Sequence, residues 1–191
     1  APDAAFAAVL DGVTHVVHGA GLTNASPDTP ESAYMSANAQ LTARLAWAAR
    51  QGDIRRFVFL SSIRAVVGAS YDGTITVQMS EAPADAYGRS KLAAEHEAAA
   101  AFADRPDRLT ILRLAPVYGV GMSGNLERLL RLADSSLPLP LGRITAARTL
   151  VAVEAVAELV HAALTAADPL RPHYLVGDRE RTNGHAGHLR A

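Results

Sequence analysis

Tyr87 and Lys91 stand four residues apart in "PADAYGRSKLAAEHE" (83–97), and Lys91 is the only lysine among the chain's 18 Lys and Arg side chains. Four residues make about one helical turn, so the two side chains share a face. A phenol titrates near pH 10, and a tyrosine that moves protons at neutral pH needs that value lowered by roughly three units, about 4 kcal/mol. A neighbouring ammonium favours phenolate and supplies part of the shift. It also turns its donors onto two sugar hydroxyls more readily than arginine's planar fork does. The pair reads as an acid–base tyrosine served by a lysine, against the plainer reading of two solvent-facing residues on an amphipathic helix.

Ser61 and Ser62 end the apolar run "RRFVFLSS" (55–62). Open α/β sheets carry their functional groups at the carboxyl ends of strands, which makes both serines site candidates; the alternative is that they only terminate the strand. The seven histidines show no H-x-x-x-H and no acidic companion at metal-ligand spacing, so no metal site is expected. "GVGMSG" (119–124) matches G-x-G-x-x-G literally, but it follows the Tyr/Lys helix instead of opening the fold. The first acidic residue after the next strand is Glu154, beyond the spacing of about 20 residues that a dinucleotide fingerprint requires. "HGAGLTN" lacks the third glycine.

These residues need elements to hold them. A short helix at 1–10 is stopped by Gly12, and "VTHVVH" (13–18) reads as a strand. A helix from Thr29 ends at Gly52, 55–62 is a strand buried on both faces, a loop of some twenty residues follows, and a helix spans 85–103. "LTILRLAPVYG" (109–119) is a third strand. This alternation predicts an α/β fold, a Rossmann-type parallel sheet flanked by helices, over 1–122. Beyond it the pattern loosens: a helix at 124–134, the turn-rich "SSLPLPLG", a strand "RTLVAV", a helix at 154–167 and a last strand "HYLVGD". Residues 123–178 are expected to form a small substrate-binding region at the sheet's carboxyl edge, and 179–191 a disordered tail.

With 191 residues, 49% hydrophobic and 19% charged, the chain has material for one buried core. A net charge of −1 without Lys/Arg runs argues against nucleic acid or an anionic membrane surface as partner. The absence of cysteine excludes disulfides and thiolate zinc sites and fits the cytoplasm. There is no apolar stretch of membrane-spanning length and no basic signal region at the start.

Taken together, the segments resemble the extended short-chain dehydrogenase/reductase family, the NAD(P)-dependent epimerases and dehydratases of nucleotide sugars, from about Val13 to Val176. "VTHVVHGAG" is similar to the family's V-x-x-V-x-H-x-A-A strand, and "NAQLTARLAWAARQGDIRRFVFLSS" to its N-x-x-G-T-x-x-L-L-x-A-A helix and following strand. "YGRSK" matches the family's catalytic helix, "RLAPVYGVG" the loop over the nicotinamide, and "GNLERLLRLADSSLPLPLG" with "ARTLVAVEAVAELV" its substrate segment. The resemblance implies Tyr87 as general acid–base, Lys91 holding the nicotinamide ribose and Ser62 bonding the reacting oxygen. It implies Gly19, Ala20, Asn38, Ser61, Pro116 and Val117 at an NAD or NADP cofactor. It also implies Arg148 at the diphosphate of a nucleotide-sugar substrate, Asn125 as an amide contacting that substrate, and a homodimer through helices 30–52 and 85–103.

The family's opening strand–G-x-x-G-x-x-G–helix segment is not present, so an amino-terminal stretch is expected to be missing, and this chain alone is expected neither to bind NAD(P) nor to turn over. The missing asparagine in "RLAPVYG" tilts the expected reaction towards a 4-keto reductase or an atypical 4-epimerase. The other readings are a reductase of another small carbonyl compound, an inactive fragment, or a cofactor-sensing protein of the same fold.

Overall fold

Three β-branched and aromatic runs form strands of one parallel sheet. Those at 56–62 and 109–114 are interior and buried on both faces, whereas that at 15–18, also expected to be apolar on both faces and interior, is an edge strand with alternate residues exposed. The structure, a computed structural model, describes residues 4–23, 26, 28–122, 127, 128, 131, 132, 134 and 149–178. In chain order, α1 (Ala4–Val9) leads to β1 (His15–His18). A helical stretch follows, made of α2 (Glu31–Tyr34), a π-helical segment (Met35–Gln40) and α3 (Leu41–Gln51). Then come β2 (Arg56–Ser62), a single 3₁₀ turn (Ile63–Ala65), α4 (Ala86–Ala101) and, after a second 3₁₀ turn (Pro106–Arg108), β3 (Leu109–Leu114). The short β4 (Val117–Tyr118) and β5 (Val151–Ala152), α5 (Val153–Thr165) and β6 (His173–Val176) complete the described elements.

The main sheet has the order β1-β2-β3-β6, all parallel, and β4 pairs with β5 in a separate two-stranded sheet. Its two faces bury two cores. Phe57, Phe59 and Ile111 pack with Ala46, Ala49, Ala94, Ala98 and Phe102 under α3 and α4. Val58, Leu112, Tyr174 and Val176 pack with Val156 and Ala163 of α5 on the other face. Alternation along β2 therefore sends Phe57 and Phe59 to one layer and Val58 to the other.

The expected strands at 13–18, 55–62 and 109–119 appear as His15–His18, Arg56–Ser62 and Leu109–Leu114, the last stopping before Pro116, which cannot donate to a ladder. His173–Val176, expected in the small region, instead extends the main sheet beside β3, and α5 covers that sheet. The main layer thus runs past residue 122. Most of the expected helix at 124–134, and the tail from 179, lie outside the described residues.

Candidate active site

The carboxyl edge of β2 is where the candidate residues meet, and the local sequence explains how. Ser62 ends β2 and caps the 3₁₀ turn, its Oγ accepting from the Arg64 N–H at 3.2 Å. α4 starts at Asp85, whose carboxylate accepts from the Gly88 N–H at 2.8 Å and pairs with the Arg64 guanidinium. An aspartate in this position satisfies one of the helix's free N–H groups. Gly88 lets the two turns touch: a Cβ there would sit 2.3 Å from the Arg64 carbonyl oxygen. The contact brings Tyr87, in the first turn of α4, beside Ser62.

Tyr87 is half-buried, with the Tyr34 ring edge-on at 6.3 Å between centroids. Burial raises its phenol above the usual value, and the Ser62 hydroxyl and Arg64 guanidinium offset only part of the rise. The lowering expected from Lys91 is not found. Lys91 is only 4% exposed, and its Nζ donates to the Leu60 carbonyl at 2.8 Å while lying 4.3 Å from the centre of the Phe59 ring. The ammonium thus points to the strand edge and not to the phenol. Burial pulls its pKa down to about 8, against the opposing pull of the Glu95 carboxylate.

Asn38 is 2% exposed and bonded on every side. Its Oδ1 accepts from the Leu22 N–H at 2.7 Å, and its Nδ2 donates to the Leu22 carbonyl at 3.0 Å and to Ser90 Oγ at 2.8 Å. Ser90 in turn donates to the Tyr87 carbonyl at 2.8 Å. The expected uninterrupted helix from 29 to 52 contains a π-helical segment around Asn38, where Thr42 Oγ1 donates to the Asn38 carbonyl at 2.6 Å. An added residue in one turn is a frequent device at functional sites. Asn38 therefore ties the loop after β1 to α4, with both amide N–H groups used and one lone pair of Oδ1 remaining.

Ser61 also turns away from the edge. It is 4% exposed, and its Oγ donates to Glu95 Oε1 at 2.5 Å in the core. Any contact it makes with a cofactor is through its backbone. Gly19 and Ala20 are exposed at the end of β1, and Pro116 and Val117 are exposed after β3. All four line the same carboxyl edge, one strand to either side of Ser62. Asn125 and Arg148 lie outside the described residues. The sequence reading missed Arg64, Tyr34, Ser90, Glu95 and Arg113; of these, Ser90 and Glu95 carry a signal, since they lie on the faces of α4 that Tyr87 and Lys91 define.

A cavity of about 360 Å³ at the opposite, amino-terminal edge is lined by Arg55, Arg56 and Arg108. Arg56 already donates to the carbonyls of Asp107, Ala166 and Asp168, and Arg108 to that of Ile54. These arginines tie strand starts to neighbouring turns. Among the described residues there is no cluster of metal ligands, and no helix is long and apolar enough to cross a membrane.

A parallel β-α-β sheet with a serine at the end of one strand and a Tyr-x-x-x-Lys helix packed against it is a Rossmann-type fold of the extended short-chain dehydrogenase/reductase class. The chain belongs to the NAD dependent epimerase/dehydratase family, whose model matches residues 2–177. A UDP-glucose 4-epimerase of Vibrio cholerae is 31% identical over 182 residues, which is 91% of this chain and 54% of that protein. Among solved structures, MoeE5 in complex with UDP-glucuronic acid and NAD superposes with a TM-score of 0.74 at 27% identity, covering 90% of this chain and 59% of that one. For the fold alone, UDP-glucuronic acid 4-epimerase from Bacillus cereus in complex with NAD gives a TM-score of 0.77 at 22% identity, covering 92% of this chain and 57% of that one. The chain thus spans little more than half the length of these relatives.

Proposed function

We propose that the protein carrying this chain is an NAD(P)-dependent epimerase or reductase of a nucleotide sugar, acting at C4 of the hexose. The observation that carries this reading is Tyr87 held beside Ser62 by the Arg64–Gly88 contact, with Lys91 one turn away. It is supported by relatives that are 4-epimerases of UDP-sugars.

The residues suit a nicotinamide cofactor. Lys91 has three N–H donors, of which one goes to Leu60, leaving donors for a ribose diol. Gly19 keeps the end of β1 close to β2, since a Cβ there would meet the Leu60 side chain at 3.1 Å. Bound there, the cofactor supplies the hydride acceptor and donor. Tyr87 then takes the proton of the sugar hydroxyl and returns it, and Ser62 hydrogen-bonds the same oxygen and keeps it in reach of the phenol. Because burial raises the phenol beyond what Ser62 and Arg64 offset, favouring phenolate needs a further positive charge near Tyr87 once the site is assembled. Arg148 is assigned to the diphosphate, where a guanidinium fork matches phosphate oxygens.

The test uses the complete protein. UDP-glucose and UDP-glucuronic acid are incubated with NAD⁺ or NADP⁺, and conversion at C4 is followed by NMR. Tyr87→Phe should reduce turnover by at least a thousandfold and leave cofactor binding intact, because it removes the proton carrier and little volume. Turnover near wild type in that variant would overturn the mechanism. Conversion of a small carbonyl compound with no reaction of either sugar would favour the reductase of another substrate.

A further inference from the structure

Beneath the site lies a group of charges that the chemistry does not use. Arg113 on β3 is 2% exposed and Glu95 on α4 is 1% exposed. Arg113 Nε donates to both Glu95 oxygens at 3.1 and 3.0 Å, and its Nη2 donates to Glu95 Oε2 at 2.7 Å. The same Nη2 reaches Glu81 Oε1 at 2.8 Å, and Ser61, the cross-strand partner of Arg113, donates to Glu95 from the other side. His173 Nε2 stands 3.8 Å from Glu95 and is kept neutral more readily than usual by burial and by Arg113.

Removing charges from water costs several kcal/mol per ion, and apolar replacements are often as stable or more so, so stability alone does not account for this cluster. Its connections give another reason. Ser61 precedes Ser62, Glu95 follows Lys91 by one turn, and Glu81 lies in the stretch joining Ser62 to Tyr87. That stretch is also held at its start by buried Ala65, Val66 and Val67 and by the Ala82 N–H bonded to the Val66 carbonyl at 2.8 Å. α4 is pinned to β2 at two consecutive strand positions, by Lys91 on Leu60 and by Glu95 on Ser61.

We propose that Arg113, through Glu95 and Glu81, is a positioning residue that sets the register of α4 on β2 and anchors the 66–84 segment, so that Ser62, Tyr87 and Lys91 keep one arrangement. The proposal rests on the reading of those three residues as the reacting set. A planar fork is required, because one guanidinium must hold two carboxylates from two elements at once.

The only lysine of the chain makes the test direct. With lysine-selective isotope labelling, the ε-methylene NMR signal of Lys91 is a single resonance whose titration is read in the wild type, Glu95→Gln and Glu81→Gln, alongside amide hydrogen exchange across 66–84. Glu95→Gln should move the Lys91 midpoint below that of the wild type, since the carboxylate that favours the ammonium is gone. His18 also bears on Lys91 but is neutral throughout this range, so it does not confuse the reading. Glu81→Gln should raise exchange in 66–84 at least tenfold and leave the Lys91 midpoint in place.

Glu81 is 37% exposed, so that variant keeps its fold and decides the matter even if Glu95→Gln does not fold. Unchanged exchange in Glu81→Gln, or faster exchange spread evenly over the chain, would overturn the brace. Neither readout involves sugar or cofactor, so failure of the epimerase reading would leave this result standing, and the reverse holds too.

Discussion

At the scale of single residues, Gly88 and Asn38 shape the candidate site as much as Ser62, Tyr87 and Lys91 do. Gly88 sits inside α4, where alanine would ordinarily stabilise a helix by about 0.5–1 kcal/mol. Here the added carbon would meet the Arg64 carbonyl oxygen at 2.3 Å and Pro83 Cβ at 3.1 Å. The sign should reverse: Gly88→Ala is expected to destabilise by about 1–3 kcal/mol, the usual scale of overpacking, as read by urea denaturation. A neutral or stabilising result would mean that the turn and helix do not touch as described. Asn38 offers a second test. Asn38→Ala removes three side-chain bonds and leaves the Leu22 N–H without its partner, which should cost about 2–4 kcal/mol. It should also loosen the loop carrying Gly19 and Ala20, seen as faster amide exchange at 19–23. Gly21 shows why this loop tolerates no bulk, since a Cβ there would lie 2.5 Å from Asn38 Oδ1.

At the scale of elements, the layer between β1, β2, α3 and α4 contains a histidine that must stay neutral. His18 is 3% exposed, bonded through Nε2 to Thr42 Oγ1 at 2.9 Å and stacked on Phe59 at 5.3 Å between centroids. Burial first, and Lys91 second, lower its pKa to about 4. In the unfolded chain it binds a proton near pH 6.5, so between pH 6.5 and 4 the unfolded state holds more protons than the native one. His18's contribution is therefore complete above pH 6.5 and is lost on acidification to pH 4, up to about 3 kcal/mol. Thermal melts across this range should fall more steeply for the wild type than for His18→Asn; parallel slopes would refute the assignment.

The elements themselves were largely legible. The β-branched runs at β1, β2 and β3 and the helix stop at Gly52 located strands and helices to within a few residues, because local propensity and burial agree there. What escaped depends on pairings distant in sequence. The π segment arises from what Asn38 bonds in α4 and the loop after β1. β6 looked like part of a small region because four residues beside prolines say nothing about which sheet they join. From the residues alone Ser61 and Ser62 were both site candidates, told apart only by the family resemblance, and it is the alternation of the strand that sends one to Glu95 and the other to Tyr87.

At the scale of the whole molecule, the sheet is covered unevenly. Parallel sheets normally have helices on both faces. α3 and α4 cover one face, and α5 covers the β2, β3 and β6 portion of the other. Over β1 that second face is open among the described residues: Val17 is 44% exposed, and β1 is also an edge strand. An uncovered apolar position on a sheet edge with free backbone groups is a template for pairing with another chain. The 191-residue chain, purified alone, should therefore self-associate with rising concentration, as read by light scattering after size exclusion. Val17→Lys should suppress that association, because a charge at an edge opposes strand addition. Its melting temperature should be almost unchanged, since a half-exposed side chain contributes within about 0.5 kcal/mol. If Val17→Lys associates as strongly as the wild type, the contact lies elsewhere, and the half-exposed Trp47 on α3, within the helix pair expected to join two subunits, is the next surface to substitute.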